Sequence, residues 1–247
     1  MTTLDEIRDA HERGDHEVVL DLTDAILRER PGDDAAHEFR ARALLALGRP
    51  DEAERHASDA VRLDPDEIRY RELLAEVLSV RGAHRDAAVE FGRLARNDPA
   101  QTTWTVAEAR ERLGAAQPAM GVDAARRAVR VDPRNGRAQL ALSQALARTG
   151  DARGAFQAAG AATRLLDGAP EAREALADAR WLANDDAAAF DDFRALASEL
   201  RGADRQRVVA KARTLYRQHA GWAGRLIAGF EPLFGSALQR GWLRVDR

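Results

Sequence analysis

Six histidines, His11, His16, His37, His56, His84 and His219, are the side chains of this sequence best suited to metal or proton chemistry. No two of them show the HExxH spacing that sets two imidazoles and a base on one helical face, so surface or packing roles are expected for all six. The acidic pairs Asp33/Asp34, Asp185/Asp186 and Asp191/Asp192 fall at expected helix starts or on exposed helix faces. Capping and solubility account for them better than general acid–base catalysis. A GxxxxGK[ST] phosphate cradle is absent, Lys211 is the single lysine, and no GxSxG elbow occurs. Without cysteine there are no disulfides and no thiolate metal sites. The expectation is a protein that is not an enzyme and carries no cofactor and no metal.

Composition sets the class of structure that must position these groups. Charged residues make up 32% of 247 and aromatics 5%, with Ala and Leu prominent, a mixture that favours helices over strands. The formal net charge of −3 gives no overall attraction to nucleic acid. From Arg201 onward, however, ten basic residues face three acidic ones, so an acidic body carries a basic tail. The near-exclusive use of arginine over lysine points to a GC-rich, bacterial genome. The acidic N-terminal stretch does not resemble a secretory signal and no stretch is apolar enough to span a membrane, from which a cytoplasmic location is expected.

The prolines reveal the organisation. Pro31, Pro65, Pro99 and Pro133 stand at intervals of 34 residues, in the contexts RERPGD, RLDPDE, RNDPAQ and RVDPRN. Each reads as a helix end with a basic last turn and a proline that stops the helix. Half a period away Gly14, Gly48, Gly82 and Gly150 mark a second turn, after which helices open on Asp15, Asp51, Asp86 and Asp151. Small residues recur where helices must approach: Ala53, Ala87 and Ala155 in one set, Ala41, Ala75, Ala109 and Ser143 in another. Larger apolar residues, among them Leu44, Leu78, Phe91, Leu94 and Val129, fill the positions between.

A 34-residue helix-turn-helix unit with small residues at its eighth and twentieth positions and a proline near its end resembles the tetratricopeptide repeat. The resemblance covers residues 1–201 as about six units, 3–33, 34–67, 68–101, 102–135, 136–169 and 170–201, with 34–67 and 68–101 the clearest. The first has Val19 where alanine is expected. Unit 102–135 loses its turn glycine from register, Gly114 coming two residues early; in unit 136–169 Asp167 takes the proline position and Pro170 follows. The sixth, degenerate, keeps Ala177, Ala189 and Phe193. The implied fold is an all-α, right-handed superhelical solenoid of helix-turn-helix repeats with C-terminal capping helices.

What the resemblance implies about function is a concave groove lined by the first helix of each unit, which receives a peptide or a partner's helix. The family's groove positions fall here on Glu38, Arg42 and Leu45; Arg69, Glu72, Glu76 and Ser79; Val106, Arg110 and Leu113; and Arg137, Leu140, Gln144 and Arg148. The Lys and Asn with which one subset clamps a chaperone's C-terminal carboxylate are missing from these positions. A mixed groove of Arg, Glu, Leu and Val suits an amphipathic helix or extended segment carrying charges of both signs, though exposed charges are also what any solvated helix face shows. Trp104 and Trp181 are expected in inter-repeat packing, with groove anchoring as the alternative.

The sequence then changes character. Residues 202–220 read as a basic capping helix with Val208, Val209, Ala212, Leu215 and Tyr216 on one face. Residues 221–247 form a basic segment in which Trp222, Leu226, Phe230, Phe234 and Trp242 offer an apolar docking surface interrupted by Pro232. That surface has three candidate destinations: the preceding repeats, an anionic membrane, or another chain. The leading functional expectation is a protein-binding scaffold or adaptor with a protein or peptide partner and no nucleic acid. A membrane-peripheral assembly factor docking through 221–247 and a regulatory subunit of a separate enzyme stand as alternatives, with oligomeric state open.

Overall fold

The computed structural model describes residues 3–227. Its described residues form thirteen helices and no strand: α1 (Leu4–Arg13), α2 (His16–Glu29), α3 (Asp34–Ala46), α4 (Pro50–Leu63), α5 (Ile68–Val80), α6 (His84–Asn97), α7 (Thr102–Gly114), α8 (Pro118–Val131), α9 (Gly136–Thr149), α10 (Ala152–Leu165), α11 (Pro170–Leu182), α12 (Asp186–Glu199) and α13 (Gly202–Ile227). The chain is an all-α repeat solenoid, in which consecutive helices pack on one another within residues 1–151 and within residues 152–227. It divides into two compact units, residues 1–151 and 152–247. Among the described residues no helix is long and apolar enough to cross a membrane.

Helix starts are set by local chemistry. Thr3 and Glu6 close a reciprocal capping box on α1, and the Asp33 and Asn135 side chains accept from the Ala36 and Ala138 amides at 2.9 and 3.0 Å to cap α3 and α9. Pro50, Pro118 and Pro170 open α4, α8 and α11, where a missing N–H costs nothing. The acidic residues expected to open the second helices act differently: Asp15 holds the cap position of α2 without a side-chain capping bond. The proline turns follow from sterics. Arg30, Asp64, Asp98 and Asp132, the residues before the four prolines, all have φ between −132° and −134°, the extended conformation that a following proline imposes.

The turn joining the two helices of each repeat is the same at every copy. Gly14, Gly48, Gly82, Ala116, Gly150 and Asn184, each 34 residues from the last, all have positive φ, from 55° to 85°. In each copy the following amide returns to the carbonyl five residues back, as Gln117 does to Arg112 at 2.8 Å and Arg49 to Leu44 at 2.9 Å. In unit 102–135 the glycine is out of register, as expected, but the turn is not: Ala116 is forced into the left-handed conformation that glycine occupies in four of the other copies. Gly114 belongs to α7, and a Cβ there would lie 2.6 Å from Cγ of His84. Its glycine serves that close approach and not the turn.

Within residues 1–151 the core is a column of small and medium residues. Ile7, Ala41, Ala75 and Ala109 on the first helices and Val19, Ala53 and Ala87 on the second are all fully buried. At Gly121, the corresponding residue of α8, an added Cβ would come within 3.3 Å of the Ala109 carbonyl, which shows how tightly the pair closes. Leu44, Leu73 and Val77 fill the space between helix pairs.

In the unit formed by residues 152–247, Ala177, Ala189, Phe193 and Leu196 make a core with Val208 and Leu215 of α13. This last helix runs unbroken past Gly221, so the expected boundary between a capping helix and a separate segment at 220/221 falls inside one element that contains Trp222 and Leu226. Phe230, Phe234 and Trp242 lie outside the described residues. Arg207 donates to both carboxylate oxygens of Glu174 on α11 at 3.1 and 2.8 Å, and Lys211 donates to Asp178 at 2.7 Å and lies 2.9 Å from Glu174. Burial opposes ionisation of Glu174, but the hydrogen bonds from Arg207 and Lys211 outweigh it and its pKa is lowered. At Asp178 burial dominates over Lys211 and the pKa is raised.

Two outcomes are expected. Ala116→Gly relieves the left-handed strain and raises unfolding stability by about 0.5–1 kcal/mol, read as a shift in the urea midpoint at unchanged slope. Arg207→Ala leaves Glu174 with Lys211 alone and costs about 1–2 kcal/mol. Because the folded-state pKa of Glu174 is depressed, its contribution is present above the ordinary carboxylate range and lost as pH falls through it. The stability difference between Arg207→Ala and wild type should accordingly shrink on acidification below about pH 4.5.

Candidate functional site

The expected groove positions all lie on first helices of residues 1–151. There α3 packs between α1 and α5, and α7 packs on α9, while hydrogen bonds from Trp104 Nε1 to Glu72 and from Ser79 Oγ to Glu111 tie α5 to α7. The first helices thus present a continuous row. Arg69, Glu76, Arg110, Arg137, Gln144 and Arg148 are exposed along it; Arg42, Leu45, Glu72, Ser79, Leu113 and Leu140 are half-buried; Glu38 and Val106 are buried.

The acids of this row are largely consumed by the fold. Arg42 donates to Glu38 at 3.1 Å from one turn on, and Arg69 reaches its other oxygen at 3.6 Å from the next repeat. Glu72 accepts the Trp104 indole at 2.5 Å. On the adjoining turns Glu108 is paired with Arg112 and Arg127, and Glu111 with Ser79 and His84. Ser79 and His84 each bond a Glu111 oxygen, at 2.7 and 2.8 Å, and not each other, so this trio joins α5, α6 and α7 and has no nucleophile–base contact. Partial burial raises the pKa of Glu76, opposed by Arg42 and reinforced by Glu72. Arg110 and Arg137 have no ion-pair partner among the described residues. After internal pairing, the exposed charge of the row is mainly basic.

Trp104 is 9% exposed and packs with Ala75, Phe91 and Leu94, while Trp181 meets the Phe193 ring edge-on at 6.3 Å. Trp104 packs between repeats, as expected, whereas the ring contact of Trp181 is within its own repeat. Among the acidic pairs, Asp33 caps α3, but its neighbour Asp34 accepts the Tyr70 hydroxyl at 2.9 Å across two repeats' boundary. Burial and that bond push the Tyr70 phenol up to about 12. Asp191 and Asp192 pair with Arg194 and Arg180.

Sequence spacing missed one convergence. His37 of α3 and His56 of α4 bring their Nδ1 atoms within 2.9 Å, with Asp59 beside them. Burial, then Arg40 and His37, lower the His56 pKa to about 4. The only sequence signal was their separation of 19 residues, which recurs in the pair Arg71 and Glu90. Elsewhere, an open hollow of about 560 Å³ between α10 and α11 is lined by Phe156, Gln157, Gly160, Thr163, Arg164 and Leu176, a set without an acid or base pair.

Residues 10–77 match the model of the family described as tetratricopeptide repeat. That stretch is a tetratricopeptide-repeat segment. Among solved structures this repeat protein is similar to a tetratricopeptide repeat protein from Parabacteroides merdae ATCC 43184, with a TM-score of 0.71 and 14% identity over 92% of this chain and 94% of that one. MamA from Desulfovibrio magneticus RS-1 gives a TM-score of 0.58 and 19% identity over 66% of this chain and 91% of its own. YrrB, described as a TPR protein with an unusual peptide-binding site, gives 0.52 and 15% over 80% and 93%. At these identities the likeness is one of fold. No curated protein sequence matches the chain.

Trp104→Phe keeps the apolar packing of α7 on α5 and α6 but removes the donor to Glu72. It is expected to cost about 1–2 kcal/mol in chemical denaturation, against about 3–5 kcal/mol for Trp104→Ala.

Proposed function

We propose that this protein is a non-catalytic scaffold that binds a protein partner on the first-helix row of residues 3–151. The ligand is a peptide or helix with an apolar stripe and a surplus of acidic side chains. The observation that carries this reading is the asymmetry left after internal pairing. Glu38, Glu72, Glu108 and Glu111 are engaged within the chain, whereas Arg110 and Arg137 are exposed and unpaired beside the half-buried Leu113 and Leu140. Mainly basic charge beside apolar positions at helical spacing supports recognition of an amphipathic acidic segment. The structural description of YrrB as a peptide-binding TPR protein supports the same class of ligand.

The expectation of a partner with balanced charge is thereby narrowed. Guanidinium groups pair with carboxylates in two-pronged hydrogen bonds, so an acidic segment also gains orientation on Arg110 and Arg137.

Selection from a displayed peptide library tests the proposal. Wild type is expected to enrich acidic amphipathic sequences, and the selected peptides should bind Arg110→Glu/Arg137→Glu at least about tenfold more weakly and lose affinity with added salt. Equal binding by the double variant would show that this row is not the site.

A further inference from the structure

One position of the first helices has a repeated duty. The side chain six residues after the turn proline donates to that proline's carbonyl: His37 Nε2 to Pro31 at 3.0 Å, Arg71 to Pro65 at 3.1 Å, Gln139 to Pro133 at 3.3 Å. His37 and Arg71 also face the second helix of their own repeats. In repeat 68–101 that contact is an ion pair, Arg71 to Glu90 at 2.9 Å. In repeat 34–67 the same two slots hold His37 and His56, so two imidazoles stand where the next repeat has opposite charges.

The proline carbonyl can only accept, so His37 carries its proton on Nε2 and its Nδ1 lone pair points across to His56. One turn beyond His56 on α4, Asp59 accepts from Arg62 on Oδ1 at 2.9 Å and leaves Oδ2 toward His37 Nδ1, at 4.0 Å. The three ligand atoms lie within 4.8 Å of one another. We propose that His37 Nδ1, His56 Nδ1 and Asp59 Oδ2 form a binding site for one divalent transition-metal ion of the zinc class, which clasps α3 to α4 within the second repeat.

The geometry needs small adjustments. Zinc bonds of 2.0–2.1 Å in a tetrahedron put neighbouring ligand atoms about 3.4 Å apart. The two nitrogens, now 2.9 Å apart, must separate by about 0.5 Å, and the carboxylate oxygen, now 4.0 Å from His37, must close by about 0.6 Å. His56 and Asp59 are only half-buried, so side-chain rotation supplies both movements and leaves the fourth position to water. The supporting contacts are in place: the Pro31 carbonyl fixes the His37 tautomer, and Arg62 orients Asp59.

Without metal, His56 Nδ1–H donates to His37 Nδ1. On binding, that proton leaves Nδ1 while Nε2 takes one from water, so the ring stays neutral. The nearest opposing charge is Arg40, which is held toward the Leu20 carbonyl at 3.0 Å and Asp24 at 3.7 Å, while Glu52 and Asp59 supply favourable charge near His56. Two imidazoles and one carboxylate select zinc-like ions over magnesium or calcium, which require oxygen ligands.

The test uses the full chain without an affinity tag, titrated calorimetrically with zinc chloride, and with Co²⁺ followed by its visible absorption. One ion per chain is expected, together with a rise in thermal midpoint on adding zinc. His56→Ala and Asp59→Asn are each expected to weaken binding about tenfold or more and to abolish the midpoint rise, whereas His16→Gln leaves both unchanged. Asp59→Asn is isosteric and lies at the surface, so it reports on the site even if His56→Ala is destabilised, and circular dichroism of each metal-free variant verifies its fold. Absence of zinc binding in molar excess, affinity in Asp59→Asn equal to wild type, or magnesium bound as tightly as zinc would each overturn the proposal.

Discussion

Everything in this solenoid depends on how closely its helices approach at one small residue per helix. Ala41, Ala75 and Ala109 on the first helices and Ala53 and Ala87 on the second are wholly buried, and at Gly121 even a methyl group would press on the backbone of α7. At such distances backbone meets side chain with almost no void, and dispersion between many atoms replaces the large aromatic cores of other folds. A chain with only 5% aromatic residues can be stable on these terms because each repeat adds the same contacts as its neighbour.

Close approach also dictates where polarity must go. Helices packed this tightly trap side chains such as Glu38, Glu90, Glu108, Glu111 and Glu174 between them, all under 9% exposed. Each has a cation or donor from another element, because an unpaired buried carboxylate would be severely destabilising. Arginine suits these positions because its fork satisfies both oxygens at once, as Arg207 does for Glu174. Glu38, Glu111 and Glu174 pair across a repeat boundary, and Glu90 and Glu108 pair the two helices of one repeat. What remains on the surface is the charge left over from these pairings.

The periodic part of this architecture was legible in the residues. Prolines at a constant interval, alanines at two fixed offsets and the packing role of Trp104 are local or repeating signals, and they define helices and faces directly. Three features were not legible, for physical reasons. Ala116 adopts the glycine conformation because the hydrogen-bond frame of its turn outweighs the preference of one residue, so composition at that position misleads. Glu38 and Glu72 look like groove residues by register, yet their carboxylates are claimed by Arg42, Arg69 and Trp104, and periodicity gives a residue's face without naming its partner. His37 and His56 belong to different helices, and a search for ligands along one helix passes over a pair created by two.

Lys211 shows what changes when the small residue of this register is replaced. It stands 34 residues after Ala177, in the slot that every preceding first helix but α1 fills with a small side chain, and its ammonium reaches back to Asp178 and Glu174. The small residue of the register gives way on α13 to a long cation that two acids of α11 hold. A change of side-chain size at one register position thus exchanges close helix approach for electrostatics, so the same slot serves packing in one helix and an ion pair in another.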